Sequence, residues 1–296
     1  MRRFFMKGNN ENKFNLDTMN TFEILKKVND EDKKVAIAIE NELSNIEKAV
    51  ELIVESFEDG GRLFYIGSGT SGKLGVMDAS ECPPTFGTAD SMVQGIISGG
   101  KEAISGWLEH TEDDPELAIL DLEKVNINKK DVIVGVTASG NTPYVVRAME
   151  YAKGMGCKTI ALICNSKGKI KDICEVTIAI EVGSEVILGS TRMKAGTAQK
   201  MALNMLSTVA MIKLGKTYTN LMVNVRPINK KLQQRVREIV KLSTGVDDAL
   251  VNKNLEICEY DPKVCIVKIK KDVTLKKAKE ALEKSKGNVA KALATL

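Results

Sequence analysis

Five short apolar runs, each separated from the next by a stretch with helical spacing, constrain this chain more than any other feature. They are RLFYIG at 62–67, MVQGII at 92–97, DVIVGV at 131–136, KTIALIC at 158–164 and VTIAI at 176–180. Runs this short that lack polar alternation read as strands buried on both faces. The spacing predicts helices between and after them, over 71–81, 102–109, 115–124, 143–154 and 191–214. Strands alternating with helices imply an α/β fold with a doubly wound, five-stranded parallel sheet. In such a fold, ligands bind at the carboxyl ends of the strands.

Upstream, Val35, Ile39, Leu43, Ile46, Val50, Ile53, Val54 and Phe57 recur at steps of three and four, which predicts one helix from 29 to 59, ended by Gly60-Gly61. Beyond about 241 the character changes. Three amphipathic segments follow, at 246–256, 262–270 and 274–295, the last broken near Gly287. The expected organisation is an N-terminal arm at 1–28, a ligand-binding α/β domain at 29–241 and a small helical bundle at 242–296, joined through LSTG at 242–245.

Composition removes several function classes. The formal charge is only +4, from 43 basic and 39 acidic residues, and no basic block carries interleaved aromatics, so nucleic acid is not an expected partner. Charge runs such as NDEDKK at 29–34 read as solvated surface. No apolar run reaches the roughly 18 residues of a membrane span, and MRRFFMKGNNENK lacks the apolar centre of a signal peptide. The six cysteines show no CxxC pair, which suits free thiols in a reducing cytoplasm. With one histidine and no Cys/His cluster, neither a metal nor any other cofactor is expected.

The first run is followed by GSGTSG, Gly67 to Gly72, which satisfies GxGxxG. A dinucleotide site also wants an acid at the end of the second strand, and here that strand ends Ile-Ile-Ser-Gly-Gly. The hydroxyls of Ser68, Thr70 and Ser71, with the backbone N–H groups from Gly69 onward, suit a compact phosphate monoester instead. A second hydroxyl-rich loop, TASGNTPY, follows the third strand and contributes Ser139, Asn141 and Thr142. Thr142 there is a candidate helix cap and Pro143 suits the first helical position. A third segment, SEVILGSTRMKAGTAQK, brings Ser190, Lys194, Glu185, Arg192 and Lys200 to another helix start.

Two carboxylates complete the constellation. Glu81, in DASECPPTF, is expected at the end of the helix after the first loop, where Pro83 and Pro84 stop the helix and stiffen the chain. Glu112, in EHTEDD, lies in the turn after the helix that follows the second strand, and its neighbours Asp113 and Asp114 read as helix caps. Two such glutamates near a sugar-phosphate site make an acid/base pair, and a base at carbon needs the raised pKa that burial supplies.

At these residues the sequence resembles a known family. The loops resemble those of SIS (sugar isomerase) domains, a flavodoxin-like fold. GRLFYIGSGTSGKLGVMDASECPPTFG, ASGNTPYV and GSTRMKAGTAQK together resemble the N-acetylmuramic acid 6-phosphate etherases, in order and over nearly the whole chain. Asn141 stands where many members have Arg, and His110 where many have Gly. The resemblance implies a cytoplasmic homodimer with a C-terminal bundle like ubiquitin-associated domains. It also implies elimination of D-lactate from a sugar phosphate followed by hydration. By resemblance Glu81 is the acid at the ether oxygen and then activates water, and Glu112 is the base at C2. Two other readings share the loops. A sugar-phosphate sensor, like the glucokinase regulatory proteins, would not need both carboxylates. An aldose–ketose isomerase would have no use for an acid at the C3 oxygen.

Overall fold

The computed structural model describes residues 14–296 apart from 107, 109, 226 and 228; residues 1–13 of the N-terminal arm therefore lie outside the described residues. The chain forms two compact units, one of residues up to Ser80 with Ser91–Leu206, the other of Glu81–Asp90 with Ser207–Leu296.

The first unit opens with α1 (Thr21–Asp32), α2 (Lys34–Glu40) and α3 (Leu43–Glu58). The single helix expected over 29–59 is thus three helices, and the first starts earlier. Asn20 and Glu23 form a reciprocal capping box there, each side chain accepting the other's backbone N–H. The break before α3 frees Glu42 to accept the backbone N–H of Ala179 at 3.1 Å, which satisfies a donor of an edge strand.

The sheet follows: β1 (Leu63–Gly67), β2 (Val93–Ile97), β3 (Val132–Thr137), β4 (Lys158–Ile163) and β5 (Val176–Ala179). All neighbours are parallel and the order is β2-β1-β3-β4-β5. This is the doubly wound sheet expected from the five runs. Every residue of β1 and β3 is buried, which is why these stretches carry no polar alternation. At the amino ends of these strands Arg62 grips the fully buried Asp131 with Nε and Nη2. That leaves the carboxyl ends free for ligand loops. The order reverses between β1 and β3, so the crevice of the fold opens beyond their last residues.

The connecting helices are α4 (Gly69–Phe86), α5 (Gly100–Ser105), α6 (Pro115–Lys124), α7 (Pro143–Gly154) and α8 (Lys194–Lys213). The prolines of DASECPPTF do not stop α4 before it reaches them. Pro83 and Pro84 lie inside its last turn, and the carbonyl of Pro83 still accepts the N–H of Gly87 at 2.9 Å. Near a helix end the missing proline donors cost only a bond or two, and Gly87, at φ +64°, turns the chain away. Glu81 therefore sits within the helix rather than at its end.

In the second unit α9 (Lys230–Thr244), α10 (Asp248–Ile257), α11 (Pro262–Lys271), α12 (Leu275–Lys284) and α13 (Val289–Thr295) share one core that includes Val236, Val240, Leu255, Ile266 and Val289. The break expected near Gly287 is present, with Lys286 at φ +50° and Gly287 at φ +78°. Each of the last four helices starts on a side-chain cap, from Asp247, Asp261, Thr274 and Asn288 in turn. No helix among the described residues is long and apolar enough to cross a membrane.

Candidate functional site

Beyond β1 the chain turns directly into α4. Ser68 is the last residue before the helix, and its carbonyl accepts the N–H of Gly72 at 3.2 Å. The N–H groups of Gly69, Thr70 and Ser71 therefore belong to the first turn, where an α-helix offers no internal acceptor. The loop cannot relax outward: a Cβ on Gly72 would come within 2.6 Å of the Gly67 carbonyl oxygen. Gly69, at φ +51°, is in the left-handed conformation that favours glycine. The hydroxyl of Ser68 is buried with no hydrogen-bond partner among the described residues. Ser71 is buried and donates its hydroxyl to Gln199 Oε1 at 2.9 Å.

Beyond β3 the hydroxyls form their own network. Thr137 and Thr142 pair through their side chains at 2.8 Å. Thr142 thus does not cap α7 with its side chain, contrary to the sequence reading, because that oxygen is engaged inside the loop. Pro143 does occupy the first turn. Ser139 Oγ accepts the backbone N–H of Asn141 at 3.2 Å. Asn141 donates to the carbonyl of Ser139 at 3.0 Å and accepts the N–H of Lys169 at 3.1 Å, so its amide shapes the loop from within. Gly140, at φ +71°, lets the loop lie against Gly168; a Cβ there would approach the Gly168 Cα to 2.6 Å.

Glu112 is brought to the head of α7 by its own backbone, whose carbonyl accepts the N–H of Tyr144 at 3.1 Å. The preceding Thr111 pairs its hydroxyl with that of Ser98, just past β2, at 3.2 Å. Glu112 consequently stands beside the second loop, at the carboxyl edge of the sheet. Its side chain is exposed. Asp114 caps α6 as expected, accepting the N–H groups of Glu116 and Leu117. His110, one turn before Glu112's neighbours, is exposed and at φ +68°.

The third segment builds the head of α8. Glu185 is buried and accepts the N–H groups of Lys194 and Ala195, each at 3.0 Å, so a carboxylate meets the positive end of the helix. Lys194, 2% exposed, donates to Glu31 Oε2 at 2.8 Å. Ser190 lies half-buried in the turn before α8. The head of α8 packs on the first loop: a Cβ on Gly196 would touch the Thr70 methyl at 3.5 Å.

Glu31 overturns the reading of NDEDKK as a solvated run. Burial would raise its pKa, but Lys194, and then Lys34, hold the carboxylate at about 2, below the ordinary 4.5. The resulting stabilisation is present in full above pH 4.5 and is lost as the pH falls through about 2. The Tm of the parent should therefore fall over that window, whereas a Glu31→Gln variant should show a flatter profile there. Glu31→Ala would leave the Lys194 ammonium buried alone, and a loss of about 3–5 kcal/mol in urea unfolding is expected.

Glu81 lies ten residues beyond Ser71 on α4. Among the described residues both carboxylates, Glu81 and Glu112, are exposed.

Two residues of this region escape sequence reading. Glu31 belongs to a run whose composition says only that it is charged. Gln199 carried a signal: it shares a helical stripe with Ala195, Ala198, Ala202, Leu203 and Leu206, all buried. A polar residue on such a stripe needs a buried partner.

Residues 45–153 match the glucokinase regulatory protein N-terminal SIS domain, and residues 104–209 match the SIS domain. An N-acetylmuramic acid 6-phosphate etherase of Clostridium botulinum (strain Okra / Type B1) is 51% identical over 96% of this chain and 94% of its own. Another, of Caldanaerobacter subterraneus subsp. tengcongensis, is 46% identical over 99% and 96%. A phosphoheptose isomerase from Francisella tularensis superposes with a TM-score of 0.52, over 66% of this chain and 100% of that one, at 17% identity, a likeness of fold alone.

Proposed function

The chain belongs to the N-acetylmuramic acid 6-phosphate etherases, and from that premise we infer that it removes the D-lactyl ether from C3 of N-acetylmuramic acid 6-phosphate. The observation that carries this reading is 51% identity sustained over 96% of the chain. The protein is a carbon–oxygen lyase acting on an amino-sugar phosphate. D-lactate is eliminated and water is added, which leaves N-acetylglucosamine 6-phosphate.

The chemistry assigns distinct tasks. Opening the sugar ring places an aldehyde at C1 and acidifies the C2 proton. A base takes that proton, the C2–C3 double bond forms, and the C3–O bond breaks. Lactate is a poor leaving group as an alkoxide, so an acid must protonate the ether oxygen. Water then adds at C3 and a proton returns to C2. We assign the base to Glu112 and the acid, later the activator of water, to Glu81. Ser68, Gly69, Thr70 and Ser71 hold the phosphate together with Ser139, Asn141 and Thr142. Ser190 and Lys194 face the same ligand, and Lys194 has two further N–H donors besides the one given to Glu31. The unpartnered hydroxyl of Ser68 and the first-turn N–H groups of α4 support an anion at this helix head. Binding energy from the phosphate, remote from C2 and C3, is what holds the reacting carbons in line with the carboxylates.

We propose a homodimer in which the loops and Glu112 of one copy are completed by Glu81 of a second, Glu81 and Glu112 both being exposed. The open face of α4 supports this: Met77, one turn before Glu81, is 45% exposed. On α1, Phe22 and Leu25 are 74% and 62% exposed, a further apolar surface for a second copy. Enclosure by that copy and by substrate would supply the desolvation a carbon base requires. We place the enzyme in the cytoplasm, in the recycling of cell-wall amino sugars.

The test is D-lactate release from N-acetylmuramic acid 6-phosphate in water enriched in oxygen-18. Lactate together with label at C3 of the sugar is the expected outcome. Binding of the sugar phosphate without lactate release would overturn the reading in favour of a sensor, and conversion of fructose 6-phosphate to an aldose would favour an isomerase.

A further inference from the structure

Gln199 lies on the second turn of α8, 1% exposed, with its amide against the loop that opens α4. Its Oε1 accepts the hydroxyl of Ser71 at 2.9 Å, and its Nε2 is buried with no hydrogen-bond partner among the described residues. A buried donor left unpaired is disfavoured. In this arrangement the one hydroxyl proton of Ser71 is spent on Gln199, so the side chain can offer an arriving anion only lone pairs. A phosphate at the helix head wants the opposite.

One small motion pairs the amide nitrogen and frees the Ser71 proton, with Oε1 taking the place that Nε2 held. The two ends of an amide are nearly the same size, and the torsion that exchanges them is soft and two-fold. After a half-turn, Nε2 stands where Oε1 stood and donates to Ser71 Oγ. The Ser71 hydroxyl is then free to donate outward, to a phosphate oxygen. Each bond in such a chain polarises the next, and the last, to an anion, is the strongest. The neighbouring Ser68 hydroxyl, buried and unpartnered, is a second donor for the same anion.

We propose that Gln199 is a positioning residue for the substrate's phosphate, its amide turning on binding so that Nε2 donates to Ser71 and Ser71 donates to the phosphate. The proposal rests on the reading of the first loop as the phosphate site, and it adds a residue that acts through Ser71 and does not touch the ligand.

The test is a double-mutant cycle between Gln199→Met and Ser71→Ala in the full chain, read in two assays. In the first, KM for N-acetylmuramic acid 6-phosphate should rise about tenfold in Gln199→Met, with kcat falling far less. In the second, calorimetric binding of inorganic phosphate should weaken by the same factor. In the Ser71→Ala background, Gln199→Met should add nothing further, because the group it acts through is gone. An unchanged KM, a fall confined to kcat, or full additivity with Ser71→Ala would each overturn the proposal. Should Gln199→Met fail to fold, Gln199→Glu preserves the shape while its ionised form cannot donate, and the same rise in KM and loss of phosphate binding are expected. If the parent releases no lactate but binds inorganic phosphate, the reaction assignment fails while the phosphate cycle still decides on Gln199.

Discussion

A Glu81→Gln variant is expected to bind inorganic phosphate as the parent does and to release D-lactate slower by a factor on the order of 10² to 10⁴, the usual contribution of a positioned proton donor. The substitution keeps the size of the side chain and removes its proton chemistry. Glu81 is exposed on α4, and Glu and Gln have nearly equal helix propensity, so the helix and its loop should be untouched. The proposed phosphate donors Ser68 to Ser71 precede Glu81 by ten residues or more in sequence, and among the described residues no hydrogen bond joins them to it. Rate and binding should therefore separate cleanly. The check is a pair of measurements on one preparation, lactate release and phosphate calorimetry. An unchanged rate would remove Glu81 from the mechanism; lost phosphate binding would show that its effect is structural.

The second large effect concerns which copy supplies which group. If Glu81 of one copy serves the loops of the other, Glu81→Gln and Glu112→Gln chains should each be nearly inactive alone and should recover activity when mixed. In a mixed dimer one site carries both substitutions and the other carries neither. Random exchange makes half of the dimers mixed, so recovery to about a quarter of the parent rate is expected. Both substitutions placed in one chain and mixed with nothing should give no recovery. If the singly substituted chains, refolded together, stay inactive, then both carboxylates serve the loops of their own chain. Size-exclusion chromatography with light scattering, on the same mixtures, establishes that exchange took place.

Much of this arrangement is legible in the residues themselves. The five apolar runs specify strands because a strand buried on both faces cannot alternate. The glycines and hydroxyls after the first and third of them mark helix heads, because only small residues let backbone N–H groups meet an anion at close range. Resemblance, not spacing, supplied the roles of Glu81 and Glu112. It was carried by long segments whose order along the chain matches the family, and the full-length relatives bear that recognition out.

The tertiary structure decided what local pattern does not encode. Whether a charged residue is solvated depends on what packs against it from elsewhere in the chain. Glu31 reads as one charge among several, yet Lys194, 163 residues away, makes it half of a buried ion pair. The same holds for Gln199, whose partner Ser71 is 128 residues distant. Two consecutive prolines read as a stop, but a helix already near its end tolerates them, so α4 carries Glu81 within it. Periodicity and turn chemistry are local and survive in the sequence; burial, pairing and reach are sums over distant residues, and only the folded chain carries them out.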